Sequence, residues 1–392
     1  MKEIKHLHKD HATQNIPINF EEAYVLGQYA LLGCPLSDEL TVGQREALLR
    51  STATLTALHN RALYLWHRNK DDEQRHTHRL PENAAEQIAG ICAAVFDEDI
   101  AKSEFGFLEP QVPYAMDNCG MGGDLILTAN VSTIAGLIAA AGGIPMCKHG
   151  SPGNATACGS SDFVSLLGIN TCASKDEVER CVEEEGFGYT EALDVRYKRI
   201  HTQTHKFANL PHMNDIIGPI TNPLCAHVLT RRVVGINHVI PPRIVAEAYK
   251  ILNERCVTHL EHGMFIRGFV SSDRYEGMDE VSICEGGTQV VELRNGKVRE
   301  YKLHASDFGL TAVSVEAISP PAGMSKGEFS LGILMGEISG PPLQMVLANA
   351  AILFYLADRS QDFKECYAMA ETVHRKGTAY EKALAIRKRL PK

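Results

Sequence analysis

A single ordered run, residues 117 to 150, narrows the choice of fold for this chain. It reads Asp117-Asn118-Cys119-Gly120-Met121-Gly122-Gly123-Asp124, then Asn130-Val131-Ser132-Thr133 at the head of an apolar segment, then Lys148-His149-Gly150 closing a second apolar stretch. Ile134, Leu137, Ile138 and Ala141 recur at i, i+3, i+4 and i+7, which predicts a helix with one buried face and an N-terminus free to point at a cleft. Gly143 to Cys147 follows as a short strand. Glycines let successive N–H groups converge as an anion nest, a helix N-terminus adds unpaired donors and the positive end of its dipole, and lysine adds a point charge. Each piece alone has a plain structural reading as turn, cap or isolated triplet. Their order is what reads as a cradle for phosphate.

The remainder suits an α/β protein with room for two domains. The chain has 392 residues, 44% of them apolar, and 32 glycines. Phe20 to about Trp66 reads as helices, the first opened by Glu21, Glu22 and Ala23 and a second running from Gly43 through Tyr64. His67 to Leu80 is a charged break, expected to be a solvated loop or polar helix end, and His76 with His78 does not amount to a metal site. Pro81-Glu82-Asn83 begins another helix with Ile88, Ile91 and Val95 on one stripe. The N-terminal His6, His8 and His11 belong to a polar tail expected to be disordered.

Beyond Pro110, short apolar strands alternate with helices, the pattern of a sheet covered by helices. Arg232 to Ile236 and Met264 to Phe269 are candidate strands, and Val290 to Leu293 and Val298 to Leu303 flank Asn295-Gly296, a strong hairpin signal. Tyr189 to Pro223, rich in Arg, Lys and His and broken by prolines, predicts two short helices. Pro342 to Leu390 is helical again around Asn349-Ala350-Ala351.

The formal net charge is -9 with no run of Lys or Arg, so duplex nucleic acid is not the expected partner. No segment reaches the roughly 20 apolar residues that span a bilayer, and the polar start lacks the pattern of a secretory signal. A cytoplasmic location is expected. Eleven cysteines without a Cys-x-x-Cys pair argue against a disulfide framework and a zinc knuckle. No adjacent base marks Cys119, Cys147 or Cys158 as a nucleophile.

Five motifs in order resemble the anthranilate phosphoribosyltransferase family, whose members use phosphoribosyl diphosphate (PRPP). They are Gly120 to Asp124, Asn130 to Thr133, Lys148 to Ser160, Gly218-Pro219-Ile220-Thr221-Asn222-Pro223 and Gly277-Met278-Asp279-Glu280. The resemblance implies a small helical N-terminal domain, residues 1–112 joined by middle helices at about 190–222, hinged to a larger α/β domain, 113–392. A central mostly parallel sheet covered by helices would form that larger domain. The implied activity is magnesium-assisted transfer of 5-phosphoribosyl from PRPP to the nitrogen of a small aromatic acceptor, by a homodimer. Carried over position by position, Gly120, Gly123, Asp124, Thr128, Asn130, Val131, Ser132 and Thr133 would hold diphosphate and ribose. Lys148, His149, Gly150, Ser151, Thr156 and Ser160 would complete the PRPP shell. Ser132 would touch one magnesium ion and Asp279 with Glu280 the other, consistent with the preference of Mg2+ for one or two carboxylates plus phosphate and water. Gly120, Ser151 and His205 would line the acceptor.

The pattern departs from the family on the acceptor side. Ser151 and Pro152 stand where the family has asparagine and arginine, and His205 aligns with an arginine that binds the acceptor carboxylate. Exchanging a bidentate guanidinium for a single neutral donor costs ~2 kcal/mol, or tens-fold in binding. On these residues alone anthranilate is included among the acceptors but not favoured. Arg199 or His201 on the middle helices could take over anion recognition, against the plainer reading of a solvated basic face. Met121 replaces a signature threonine and removes a hydroxyl while leaving the backbone donors. Two alternatives have less support. The Lys-His-Ser-Thr-Gly-Gly signature of nucleoside phosphorylases is absent, and a non-catalytic nucleic-acid-binding relative fits poorly with the acidic charge and the Asp279-Glu280 pair.

Overall fold

A computed structural model of the chain describes residues 18–32, 41–45, 84–122, 126–153, 158–204, 214–237, 240–271 and 277–392. Most of the predicted Gly43 to Tyr64 helix, the charged break at 67–80 and the histidines at 6, 8 and 11 lie outside the described residues. The chain separates into two compact units. The first takes the described residues up to Phe107 with Ala192–Pro223 and Glu247–Thr258, and the second takes Leu108–Glu191, Leu224–Ala246 and His259–Lys392.

The first unit is helical. Helix Phe20–Leu32 packs against helix Ala84–Ala94 at a distance that glycine sets. A Cβ on Gly90 would lie 2.3 Å from the Phe20 carbonyl oxygen, and one on Gly27 would lie 2.7 Å from Ala94 Cβ. Ile88, Ile91 and Val95 are buried as their stripe predicts, although Ala89, Cys92 and Ala94 are buried as well. The middle stretch forms short helices at Arg199–Thr204 and Asn214–Ile220.

Among the described residues, Arg199, Lys198 and His201 are not part of a solvated face. Arg199 Nε donates to Asp99 Oδ1 at 2.8 Å, its Nη2 to the Glu98 carbonyl at 2.6 Å, and Asp99 is fully buried. Burial raises the Asp99 carboxyl above its ordinary range, and Arg199 offsets only part of that. Arg196 pairs with Asp194 at 2.5 Å, and buried Lys198 donates to the Thr221 hydroxyl. His201 is buried too. The proposed anion-recognition role for Arg199 is therefore not supported, because its guanidinium is committed to neutralising an interior carboxylate.

The second unit is built on β1 (Asp117–Gly120), β2 (Met146–Gly150), β3 (Phe187–Glu191), β4 (Arg231–Gly235), β5 (His262–Phe269), β6 (Gly277–Met278), β7 (Thr288–Arg294) and β8 (Lys297–Leu303). Strands β1, β4 and β5 pair in parallel, β2 pairs in parallel with β3, and a parallel bridge from Met116 to Met146 sets β2 beside β1. The far side of β5 is antiparallel, with short β6 and the β7–β8 hairpin turning at Asn295-Gly296, both at positive φ. β8 exposes the charged Lys297, Arg299, Glu300 and Lys302, a composition that discourages pairing at an open edge.

The strand placed at Gly143 to Cys147 begins at Met146, because the Gly142 N–H closes the preceding helix onto the Ile138 carbonyl and Gly143 turns the chain at φ +77°. Lys148, His149 and Gly150 thus lie within β2. The Val131–Ala141 helix is buried nearly all round rather than on one face. It carries no charged residue, and helices Pro341–Leu356 and Thr378–Arg389 cover the sides that β1 and β2 do not. Among the described residues no helix is long and apolar enough to cross a membrane.

One carboxylate ties three parallel strands. Asp117 on β1 accepts from Arg232 Nη2 on β4 at 2.5 Å and from the His149 N–H on β2 at 3.0 Å, and Asp117 and Arg232 are both wholly inaccessible. Removing one partner of such a pair strands a buried charge. Arg232→Met is expected to lower unfolding free energy by roughly 3–5 kcal/mol in urea titrations, and the double variant Asp117→Asn/Arg232→Met to recover more than half of the loss.

Candidate active site

The site forms at the C-terminal ends of β1, β4 and β5, where parallel α/β sheets present their ligand-binding edge. Each of these strands carries a glycine there, and the segment Asp279-Glu280 passes directly over them. A Cβ on Gly120 would lie 1.9 Å from Asp279 Oδ2, one on Gly235 1.7 Å from the Asp279 carbonyl oxygen, and one on Gly268 2.4 Å from that of Glu280. Only glycine admits the acidic pair at this depth. Gly122, at φ +69°, donates its N–H, one of those of the expected anion nest, to Asp279 Oδ2 at 2.7 Å.

The Val131–Ala141 helix starts beside this segment. Asn130 occupies its N-cap position without a side-chain cap. Its backbone N–H donates to Ser330 Oγ at 2.8 Å, its amide oxygen accepts from the same hydroxyl at 3.2 Å, and its amide nitrogen donates to the Cys158 carbonyl at 3.0 Å. Asn130 therefore braces the 158–159 turn, and the helix start lacks the internal acceptor that a cap supplies. Lys148 is wholly buried beneath, donating from Nζ to the Asn118 carbonyl at 2.6 Å and to Ser132 Oγ at 3.1 Å. Burial pulls its ammonium pKa down, while Asp117, Cys119, Asp279 and Glu280 pull it up. Asn118 Nδ2 donates to the Ser132 carbonyl at 2.7 Å, which fixes the first helical turn to β1.

Glu280 carries the strongly raised carboxyl of this site. It is buried, and burial together with the neighbouring Asp279 charge pushes its carboxyl up to about 8, against a partial offset from Lys326, Lys148 and the Thr128 hydroxyl. Its Oε2 has no hydrogen-bond partner among the described residues. A cavity of about 20 Å³ adjoins it, lined by Asn118, Cys119, Ser132, Val233, Gly235, Ile266, Asp279, Glu280, Asn349 and Ile352. That is room for a water or a small ion. A buried carboxylate oxygen without a partner, a second carboxylate and a hydroxyl form a hard-oxygen donor set that fits Mg2+. Among the described residues no cluster of three His, Cys, Asp or Glu could hold a metal unaided.

A model of the glycosyl transferase family, a/b domain, matches residues 112–380. The anthranilate phosphoribosyltransferase of Pseudoalteromonas translucida is 30% identical over 312 residues, 77% of this chain and 79% of the relative. That of Haloferax volcanii is 28% identical over 305 residues, 77% and 84% of the two chains. The chain belongs to the anthranilate phosphoribosyltransferase family. Membership makes it an enzyme of the pentosyl-transferring glycosyltransferases. The solved anthranilate phosphoribosyltransferase of Thermus thermophilus has a TM-score of 0.73 at 25% identity, covering 100% of this chain and 99% of its own. The Saccharomyces cerevisiae structure in complex with PRPP and Mg shares the fold, with a TM-score of 0.75 at 21% identity over 99% and 98% of the chains.

Of the residues that the family pattern singles out, Gly120, Thr128, Ser132, Lys148, Asp279 and Glu280 lie together around this strand edge. Gly150 and Ser160 pack against each other, since a Cβ on Gly150 would lie 2.7 Å from Ser160 Cβ. Ser151 follows β2 and is half-buried. Val131 is buried, and Thr133 is buried with its Oγ1 unpartnered among the described residues. His149 is buried with Nδ1 2.8 Å from Thr190 Oγ1. Gly123, Asp124, Thr156 and His205 lie outside the described residues. Sequence reasoning missed Asn118, Lys326, Ser330 and the glycines Gly235 and Gly268, none of which carries a local signal of its role.

Gly235→Ala is expected to destabilise the fold by roughly 1–3 kcal/mol in chemical denaturation, because backbone rather than a flexible side chain must move. The raised Glu280 pKa means that the folded state binds a proton more tightly than the unfolded chain, so its contribution is most favourable below about 4.5 and is lost as pH rises to about 8. Glu280→Gln should match the parent in stability near pH 4 and exceed it near pH 9, measured without divalent cations. Equal pH slopes for the two proteins would contradict the burial of this charge.

Proposed function

We propose that the protein transfers the 5-phosphoribosyl group of PRPP to the amine of anthranilate or a closely related aromatic acceptor, releasing diphosphate. The carrying observation is buried Glu280, its Oε2 unpartnered among the described residues, sharing one cavity with Asp279 and the Lys148-held hydroxyl of Ser132 in a member of this family. The names of the relatives, and the yeast neighbour described with PRPP and Mg, support the donor and the cation. The family resemblance extends the reading to a cytoplasmic homodimer, the assembly being open to light scattering.

Bound magnesium would supply positive charge against the departing diphosphate. Ser132 would hold one ion and Asp279 with Glu280 the other. The residues themselves do the positioning. Lys148 and Asn118 fix the first turn of the Val131–Ala141 helix, whose N–H groups and dipole favour an anion at that end. Gly120, Gly235 and Gly268 let the acidic pair sit close to that turn, so that charge at the leaving group develops within a pre-set field. Holding the acceptor nitrogen in line supplies the rest. A weakly basic aromatic amine can lose its proton late, so no strong general base is required.

Diphosphate release with PRPP, magnesium and a panel of acceptors tests this reading. Turnover is expected with anthranilate, with a raised KM because Ser151 and Pro152 replace polar family residues. Asp279→Ala/Glu280→Ala should cut the rate by about 100-fold or more. Nucleoside cleavage that requires phosphate and ignores PRPP would overturn it. Because Glu280 is protonated below about pH 8, cation binding at neutral pH should release a proton, visible as a buffer-dependent heat in calorimetry.

A further inference from the structure

We propose that Asn349 is a positioning residue for the acidic pair, acting as a side-chain substitute for a missing strand. Resting on the function proposed above, this inference adds a residue that the family motifs do not include. After β6 the chain leaves the sheet, and residues 279–283 make no ladder pairs. Val281, the residue directly after Glu280, is fully buried there, so its backbone N–H and C=O must find partners without water. Asn349 provides both. Its Oδ1 accepts from the Val281 N–H at 2.9 Å and its Nδ2 donates to the Val281 carbonyl at 3.1 Å, the two-point pattern of a neighbouring strand residue.

Asn349 is itself held. Its Nδ2 also donates to the Met345 carbonyl one turn earlier at 2.9 Å, and it sits in the buried middle of helix Pro341–Leu356. On the upstream side Gly277 and Met278 pair with β5. Downstream, the Ser282 N–H donates to Thr288 Oγ1 at 2.9 Å and the Ser282 hydroxyl to the Phe269 carbonyl at 2.7 Å. Asp279 and Glu280 are thus suspended between a short strand and an amide clamp. Asn349 also lines the cavity next to Glu280, so the clamp is adjacent to the carboxylates it orients. A carboxylate that carries an unpaired oxygen in a buried site will turn or retract when its backbone is loosened, and outer-shell partners of this kind typically govern metal affinity by 10–100-fold.

The test is magnesium-dependent binding of PRPP to the full chain by calorimetry, without acceptor, compared with thermal stability. Asn349→Leu removes the clamp, and Asn349→Ser is the milder variant should the first fail to fold. Leu353→Ala, one turn along the same helix and fully buried, removes packing while leaving both Val281 hydrogen bonds to Asn349 in place. Both Asn349 variants are expected to need about tenfold more magnesium for half-maximal PRPP binding. Leu353→Ala should lose stability and keep the magnesium requirement of the parent. An unchanged requirement in the Asn349 variants, or an equal rise in Leu353→Ala, would overturn the positioning role alone. Absence of magnesium-dependent PRPP binding in the parent protein would overturn both this inference and the function on which it rests.

Discussion

The Asp117 carboxylate is the interaction on which the rest of the second unit depends. It joins β1 to β4 through Arg232 and β1 to β2 through the His149 N–H, all without water. These contacts sit at the start of β1, while the site sits at its end, so the register they impose decides where Gly120, Gly235 and Lys148 fall. A one-residue slip would invert the side-chain faces and move Lys148 from beneath Ser132. Such a pair gives little net stability over an apolar replacement, but it fixes a unique alignment, which is what a multi-strand site requires.

Once the strands are aligned, the site is a problem of close approach. Three glycines on adjacent strands remove the side chains that would hold Asp279 and Glu280 away. The consequence is a carboxyl group buried beside another, which burial and repulsion keep protonated to about pH 8. In isolation this is costly. It becomes useful when a cation binds, since the cation's charge takes the place of the proton that burial holds on the carboxyl.

Much of this was legible in the chain. The Gly120 to Asp124 loop, the Ser132 helix start, Lys148 and the Asp279-Glu280 pair each carry a local pattern, and the Asn295-Gly296 hairpin is a backbone requirement written in two residues. What was not legible depends on contacts distant in sequence. Arg199 looks like a surface cation until Asp99, a hundred residues earlier, is found buried against it. Gly235 and Gly268 look like ordinary strand glycines until Asp279-Glu280 crosses them. The Val131–Ala141 helix looks one-sided because periodicity counts its strongest apolar residues, whereas the alanines, threonine and glycine between them are buried as well, Gly136 against Asn118 and Phe187. Asn130 looked like a cap, and tertiary contact with Ser330 redirected it.

The central claim is that the cavity beside Glu280 is a cation site made complete by PRPP. Crystals grown with PRPP and Mn2+ in place of Mg2+ would locate the ion by its anomalous scattering. A peak within coordination distance of the Glu280 or Asp279 carboxylate oxygens, present only when PRPP is bound, is the predicted result. PRPP bound with no peak at this strand edge, or a peak at carboxylates elsewhere, would contradict it.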